Sequence, residues 1–234
     1  MSKNLYSLCR NLRMNNSKII TIDGPSGVGK GTLAKALAKY YDFKLLDSGA
    51  IYRLAALHCF KNNASLENED DVCKTLRNLD ISFKIEDDLV KAFLSNQDVT
   101  KDIRTEQIGM LASKVAAYPT VRAILLNKQR EFATEQGLVA DGRDMGTVVF
   151  PQAQYKFFLD ASTEITAKRR YDELKTKGQK PNFEKILADI KQRDFQDRNR
   201  KVAPLRPAND AIIVDTSQLS IKEVFDSVIK KITI

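Results

Sequence analysis

The stretch GPSGVGKGT, residues 24–32, decides the fold of this chain. It stands between KIITID at 18–23, a short apolar run rich in isoleucine, and GTLAKALAKYY at 31–41, whose leucines recur with helical spacing. Gly24 and Lys30 have the spacing of G-x-x-x-x-G-K, in which backbone amides and the lysine hold a polyphosphate at the start of a helix. Strand, glycine loop and helix therefore predict a phosphate-binding α/β domain.

Four later apolar runs predict the remaining strands of a parallel sheet. Each run ends in aspartate, at the edge where open α/β sheets bind their ligands. The chain closes on a helical pattern in which Ser220 and Glu223 fit a capping box. The runs are FKLLD at 43–47, GLVAD at 137–141, YKFFLD at 155–160 and AIIVD at 211–215. We therefore expect a three-layer α/β/α core with a five-stranded parallel sheet.

Two segments interrupt the core pattern. ISFKIEDDLVKAFL at 81–94 alternates apolar residues on both sides of an acidic turn, which predicts a small antiparallel β insert, and helices are expected around 105–117 and 119–135. We expect a single domain over 18–234 in which these two segments form hinged attachments to the core. Such attachments suit chemistry that must exclude water. Its predicted parts are a core of 18–48, 131–167 and 204–234, a flap of 49–130 that carries the insert, and a helical lid of 168–203. Residues 1–17 are expected to form an extension, with a mitochondrial-type leader as the alternative.

The charge of the chain is concentrated in two places. Its net charge is +8, and the excess lies in residues 1–18 and in 168–201, where 12 Lys or Arg face 6 Asp or Glu. These segments contain no RGG run and no regular alternation of aromatic and basic residues, so a small anionic ligand explains them better than a nucleic acid. No run approaches the ~18 apolar residues of a membrane span. We therefore expect neither a nucleic acid nor a membrane as partner.

The cysteines argue against a disulfide framework or a zinc site. Cys9, Cys59 and Cys73 are odd in number and show no C-x-x-C spacing. This usage indicates a reducing compartment, and we expect a cytoplasmic protein.

Two motifs place arginine beyond predicted strands, where it suits a phosphate. DSGAIYR at 47–53 sets Arg53 about one helical turn after a strand, and arginine can bind a phosphate bidentately there. ADGRDMGTVVFP at 140–151 places Arg143 and Asp144 just past another strand, beside the glycine loop. A solvent-exposed Arg53 and a plain Arg143–Asp144 salt bridge are the alternatives.

A third motif, RDFQDRNR at 193–200, predicts a charged helix. Arg193, Asp197 and Arg200 fall at i, i+4 and i+7 and are expected on one face of it. Charged helix faces normally meet solvent, so an ordinary exposed helix is the alternative to a ligand site.

The glycine loop departs from the usual pattern at one position. Gly31 follows Lys30 where a Ser or Thr usually contacts Mg²⁺, and Thr32 comes next. This Lys-Gly-Thr resembles the loop of the nucleoside monophosphate kinases, in which phosphates and water hold most of the Mg²⁺ coordination, so no direct protein ligand is expected. A GTPase would need N-K-x-D after a strand, whereas NKQR at 127–130 ends in Arg within a helical pattern. That class is excluded.

The motifs together resemble the bacterial type of the cytidylate kinase family. In order they are GPSGVGKGT, DSGAIYR, IRTEQIGMLASKVAAYPTVR, DGRDMGTVVFP, RDFQDRNR and APLRPANDAIIVDTS. The likeness runs from about Lys18 to the end, and the β insert also resembles this family, in contrast to adenylate kinases and eukaryotic UMP/CMP kinases. The resemblance implies a transferase of pyrimidine metabolism that moves a phosphoryl group from ATP, bound with Mg²⁺, to CMP or dCMP. We expect a monomer, because both flaps need room to move.

The resemblance also implies roles for individual residues. The catalytic set is Lys30, Arg143, Arg193 and Arg200. The ATP-binding set is Gly24, Pro25, Ser26, Gly27, Val28, Gly29, Lys30, Gly31 and Thr32, with Arg169 and Arg170 at the start of the lid. The CMP-binding set has three parts: Arg53 and Arg143 for the phosphate; Ser48, Ser113, Arg122 and Asp144 for the cytosine; Arg193 and Asp197 for the sugar. Arg200 is expected to close over the site from the lid.

The expected chemistry needs no general base. The acceptor is a phosphate monoester whose second pKa is about 6, so near neutral pH it is already mostly dianionic. The sole histidine, His58, lies outside every motif and is expected to be structural or incidental. Two rival functions stay open: a monophosphate kinase with UMP or AMP as acceptor, and a nucleic-acid-binding P-loop protein that uses the basic charge.

Overall fold

The computed structural model describes residues 18–86 and 89–234. Its strands, in chain order, are β1 (Ile19–Asp23), β2 (Lys44–Asp47), β3 (Ile81–Glu86), β4 (Leu89–Leu94), β5 (Gln97–Asp98), β6 (Leu138–Gly142), β7 (Tyr155–Asp160) and β8 (Ile212–Asp215). Among the described residues, five strands form one sheet in the order β2-β6-β1-β7-β8, and three form a second sheet in the order β3-β4-β5. The α/β class, the predicted strands and the separate β insert are confirmed.

The centre of the large sheet is β1. It pairs in parallel with β6, where Ile19 lies opposite Leu138, and with β7, where Ile20 lies opposite Tyr155. All five residues of β1 are buried, the polar Thr21 and Asp23 included, as expected of a central strand in a parallel sheet that is covered on both faces. The sheet therefore brings the carboxyl ends of β1, β6 and β7 to one edge.

The helices follow the predicted order, and the two expected at 105–117 and 119–135 are shorter than predicted. The segment expected at 119–135 is α-helical only to Arg130, because the amides of Phe132 and Ala133 bond three residues back in a tighter turn. The capping box of Ser220 and Glu223 is present. The α-helices are α1 (Lys30–Tyr41), α2 (Ser48–Lys61), α3 (Glu69–Leu76), α4 (Glu106–Val115), α5 (Pro119–Arg130), α6 (Thr163–Thr176), α7 (Phe183–Asn199) and α8 (Ile221–Ile229), with a 3₁₀ turn at Asp102–Arg104 and a π-helical turn at Met145–Val149.

The β insert is a short antiparallel sheet. Ile81 pairs with Leu94 and Phe83 with Ala92, and the ring of Phe83 lies 5.7 Å from that of Phe132. The predicted acidic turn includes Asp87 and Asp88, which lie outside the described residues. The predicted extension at 1–17, which contains Cys9, also lies outside them.

The chain divides into two compact units. Unit 1 contains the described residues up to Phe43 together with Glu135–Ile234, and unit 2 is Lys44–Thr134. The β insert belongs to unit 2, and the predicted lid of 168–203 belongs to unit 1. The flap limits of 49–130 and the lid limits stay predictions.

Candidate functional site

The glycine loop joins β1 to α1 in unit 1. Gly24 has φ +147°, and a Cβ on it would stand 2.1 Å from the carbonyl oxygen of Leu159, so only glycine fits there. Gly29 caps α1 in the left-handed region at φ 93°, and the first turn contains no acidic residue. The first amides of a helix lack intrahelical partners and carry its positive dipole end. The loop therefore has the backbone and the charge that an anion requires.

Lys30 begins α1 and is buried, with 7% of its surface exposed. Its Nζ donates a hydrogen bond of 2.6 Å to the carbonyl oxygen of Pro25, inside the same loop. This bond holds the ammonium over the concave side of the loop. A buried lysine in this position supplies a positive charge that water screens only weakly.

Asp23 ties the glycine loop to the segment that carries Arg143 and Asp144. Its two carboxylate oxygens accept hydrogen bonds of 2.8 Å from the amides of Met145 and Gly146. Burial raises the pKa of Asp23 to about 6, against the opposing effect of these two amides, while Asp144 raises it further and Lys30 lowers it. No local motif marks Asp23 as a site residue, because its partners are more than a hundred positions away along the chain.

The buried carboxylate predicts a pH-dependent stability. The folded state keeps the Asp23 proton up to about pH 6, whereas an unfolded chain releases it near pH 4. The stabilising contribution is therefore complete below about pH 4 and is lost as the pH rises through 6. We expect the free energy of unfolding of the wild type, relative to Asp23→Asn, to fall by on the order of 2 kcal/mol between about pH 4.5 and about pH 7.5. Urea unfolding at the two pH values measures this difference.

Asp98→Asn is the control for that experiment. The hydroxyl and amide of Thr100 lower the pKa of the exposed Asp98, so its contribution is lost only in more acidic solution. Its difference from wild type should stay nearly constant over the same interval. An equally constant difference for Asp23→Asn would contradict the assignment.

Arginine and carboxylate side chains form two pairs beside this segment. The Nε of Arg143 donates to Oδ2 of Asp197 at 2.7 Å, and both side chains are about a quarter exposed. The guanidinium of Arg200 lies 3.8 Å from Oδ2 of Asp144, which is buried. The structure thus brings together four residues that the sequence had placed in two separate motifs.

The expected single face of the RDFQDRNR helix is wrong for Arg200. The helix α7 ends at Asn199, and Arg200 has an extended backbone with ψ 142°. The amide of Leu205 donates to the carbonyl oxygen of Asp197, so the chain turns back over the last turn of the helix. Arg200 reaches Asp144 from this returning segment, and Arg193 is exposed on α7.

Asp194 lies in the RDFQDRNR motif, on a different face from Arg193 and Asp197, and was not among the expected site residues. Its Oδ1 lies 3.5 Å from the amide nitrogen of Ser26, within the glycine loop. Burial raises the pKa of Asp194, while the amide of Ser26 and the charge of Arg143 oppose the shift. The next turn of α7 carries Arg198, which lies 3.6 Å from Asp160. This face of α7 therefore packs toward the loop and does not simply meet solvent.

A pocket of ≈ 440 Å³ opens beside the glycine loop in unit 1. Its walls are the loop at 27–29, the start of α1, the start of α8, Arg169 and Thr216. Arg169 donates to the carbonyl oxygen of Thr216 at 2.6 Å. The buried hydroxyl of Thr216 donates in turn to the carbonyl oxygen of Val28 at 3.3 Å. Arg170 points elsewhere, since it is exposed and pairs with Glu173 at 2.7 Å. The structure thus separates the two arginines predicted to contact ATP.

Unit 2 contains the residues expected to read a second ligand. Asp47 caps α2 by accepting from the amide of Ala50 at 2.9 Å, and Ser48 is buried at the first position of this helix. The Nη1 of Arg53 donates to the carbonyl oxygens of Ile103 at 2.8 Å and Thr105 at 3.3 Å. These bonds hold Arg53 against the start of α4.

Two further members of the predicted set lie on the helices of unit 2. Ser113 donates from its hydroxyl to the carbonyl oxygen of Gly109 at 3.2 Å on α4. The guanidinium of Arg122 lies 5.6 Å from the ring centroid of Tyr52, which is a cation–π distance. His58 instead contacts the carbonyl oxygen of Thr75 at 3.2 Å, away from these residues.

The side chains around the glycine loop suit a metal ion that binds together with the phosphates of a ligand. In the described ranges no group of three His, Cys, Asp or Glu side chains could hold a metal ion. A Cβ on Gly31 would stand 4.0 Å from Oδ2 of Asp141, so a carboxylate faces the position where the usual loop has a metal-binding hydroxyl. A carboxylate there can accept hydrogen bonds from water bound to Mg²⁺.

Over residues 18–86 and 89–234, every helix is too short or too polar to cross a lipid bilayer.

Comparison with known proteins identifies the family. A family model described as cytidylate kinase matches residues 20–234. The cytidylate kinase of Pasteurella multocida is 56% identical over 211 residues, which are 90% of this chain and 93% of that protein. Cytidylate kinase 1 of Haemophilus influenzae is 55% identical over 208 residues, 89% of this chain and 90% of that protein. The cytidylate kinase of Vibrio cholerae is 52% identical over 217 residues, 93% of this chain and 96% of that protein. The family match runs from β1 to α8 and, with these relatives, confirms the resemblance, so the chain belongs to the cytidylate kinase family.

Proposed function

We infer that the protein transfers the terminal phosphoryl group of ATP to CMP or dCMP, forming ADP and CDP or dCDP in one in-line step. The observation that carries this inference is the family match over residues 20–234. The glycine loop with its buried Lys30 supports the kinase chemistry independently.

The donor nucleotide is proposed to bind in unit 1. The backbone N–H groups of the loop at 24–32, with the exception of Pro25, and the ammonium of Lys30 hold its phosphates. The pocket walled by Arg169 and Thr216 takes its nucleoside. Arg170 is the weaker ATP contact, because its guanidinium already pairs with Glu173. Mg²⁺ bound with ATP would screen the phosphate charge, and Asp141 would accept hydrogen bonds from its water.

The acceptor nucleotide is proposed to contact the residues that the family resemblance assigns to it. In unit 2, Arg53 binds the phosphate, and three residues that can donate or accept hydrogen bonds read the base. In unit 1, the paired Arg143, Asp197, Asp144 and Arg200 contribute, together with Arg193. The three base-reading residues in unit 2 are Ser48, Ser113 and Arg122.

The charge pattern suits this reaction. Two polyanions must approach each other, and in phosphoryl transfer a protein mainly positions them and stabilises the spreading charge. The carboxylates of Asp144 and Asp197 fix the guanidinium groups of Arg200 and Arg143 in defined orientations. A fixed guanidinium loses less conformational freedom when it binds a phosphate than a mobile one does. Cytosine presents an amine donor that uracil lacks, and the buried Asp144 can accept from it.

The test is ADP release from ATP–Mg²⁺ with CMP, dCMP, UMP, AMP, GMP and dTMP offered separately. We expect fast turnover only with CMP and dCMP, and at most slow turnover with UMP. Activity confined to another nucleotide would keep the kinase chemistry and overturn the roles of Ser113, Arg122 and Asp144. The absence of turnover with all six, in folded protein, would overturn the proposed function.

We also propose that the protein acts as a cytoplasmic monomer, without a nucleic acid or a membrane as partner. The basic segment at 168–201 contains the arginine motif at 193–200 and no RGG run, which favours a small anionic ligand over a nucleic acid. A gel shift with RNA and DNA at low and moderate salt would contradict it by showing salt-sensitive binding.

A further inference from the structure

Gly109 occupies a position in α4 that its backbone conformation does not explain. It lies within the helix Glu106–Val115 and has no positive φ. Glycine is among the poorest helix formers, and alanine is the best. A glycine in the interior of a helix therefore calls for a reason in its surroundings.

The reason is the guanidinium of Arg53. A Cβ on Gly109 would stand 3.0 Å from Nη2, 3.1 Å from Nη1 and 3.3 Å from Cζ of Arg53. Three nearly equal distances mean that the flat face of the guanidinium packs against Gly109, over the place where a Cβ would stand. A side chain at this position would need the guanidinium to move by a few tenths of an ångström or more.

Arg53 is not free to give way. Its Nη1 is held by the carbonyl oxygens of Ile103 at 2.8 Å and Thr105 at 3.3 Å, both on the segment that leads into α4. Displacement by a methyl group would stretch these charge-assisted hydrogen bonds and turn the plane of the guanidinium.

Gly109 also contacts a second residue of the proposed acceptor site. Its carbonyl oxygen accepts the hydrogen bond of 3.2 Å from the hydroxyl of Ser113, one turn later on α4. One residue thus supports the side chains proposed to bind the two ends of the acceptor nucleotide, Arg53 for its phosphate and Ser113 for its base.

We propose that Gly109 is a positioning residue for the acceptor nucleotide, whose missing side chain lets Arg53 lie flat on α4 at a fixed distance from Ser113. The proposal rests on the proposed function, in which Arg53 and Ser113 contact a nucleoside monophosphate. Gly109 touches no substrate itself, and its influence passes through Arg53.

The test is Gly109→Ala in the full chain, with CMP and ATP varied in turn. We expect KM for CMP to rise about tenfold, as for the loss of one hydrogen bond to a charged group, with KM for ATP unchanged. The melting temperature should stay level or rise, because alanine favours the helix. Gln107→Ala is the matched control: it places the same alanine on the same helix at an exposed position, and its KM values should equal those of wild type. An unchanged KM for CMP in Gly109→Ala would overturn the proposal.

A double variant decides whether the effect passes through Arg53. In an Arg53→Ala background the guanidinium is gone, so Gly109→Ala should add nothing to KM for CMP. A full tenfold addition there would overturn the proposal. Should Gly109→Ala alone fail to fold, the double variant should fold, and its failure to fold would also overturn the proposal. Turnover of CMP by the wild type is measured alongside, and its absence would refute the proposed function. Normal turnover by the wild type together with normal kinetics of Gly109→Ala would refute only the role of Gly109.

Discussion

Replacing Lys30 with alanine is expected to lower kcat by about 10²–10³-fold, the usual cost of removing one preorganised charge donor from a reacting centre. Lys30 is buried at the N-terminus of α1 and is held over the loop by its bond to Pro25. No other side chain of the glycine loop at 24–32 carries a positive charge. The measurement is kcat at saturating ATP–Mg²⁺ and CMP, with thermal unfolding of the same sample.

Two further variants separate charge from packing. Lys30→Met keeps the buried stem and removes only the ammonium, so its kcat should fall as far as that of Lys30→Ala. Lys39→Ala changes an exposed lysine in the last turn of the same helix and should keep wild-type turnover. A folded Lys30→Ala with wild-type kcat would refute the role of Lys30.

Replacing Arg143 with alanine should also lower kcat by about 10²–10³-fold, and it should raise KM for CMP more than KM for ATP. Arg143 lies directly after β6, and Asp197 holds its Nε at 2.7 Å. Since Asp197 engages Nε, the two Nη groups remain as a planar pair of donors that can bind a phosphate bidentately. Because both side chains are about three-quarters covered, removing Arg143 leaves Asp197 without this partner, so thermal unfolding of the variant is measured on the same sample.

Arg143→Lys tests whether geometry matters in addition to charge. Lysine keeps the positive charge and lacks the planar fork, so it should recover only a small part of the lost kcat. Arg77→Ala, at an exposed position in unit 2, is the matched control and should behave as wild type. Equal turnover of Arg143→Lys and wild type would show that a point charge suffices and would contradict the proposed bidentate contact.

Local patterns in the sequence predicted the sheet and the glycine loop well. β1 is a buried apolar run followed at once by Gly24 and, six positions later, by Lys30, and these features depend only on neighbours along the chain. The capping box at Ser220 is equally local. The early end of α5 was missed because neither glycine nor proline marks it, and the helix tightens into a 3₁₀ turn instead.

The contacts that complete the candidate site could not be predicted in this way. Asp23 bonds to the amides of Met145 and Gly146 only because β1 and β6 are neighbours in the sheet. Arg200 was expected on a helix face, since the i+7 spacing does not reveal that α7 ends one residue earlier. Gly109 falls inside the helix expected around 105–117, and only the packing of Arg53 against it shows why a glycine stands there.

The central position of β1 also determines the order in which the protein can form during synthesis. Ile19 leaves the ribosome early, but its partners Leu138 in β6 and Tyr155 in β7 follow only after all of unit 2 has emerged. Unit 2 is continuous in sequence, so its internal contacts can form before β6 and β7 are available to pair with β1. The nascent chain must therefore carry an unpaired strand of five apolar-rich residues, with the phosphate loop attached, until β6 is complete.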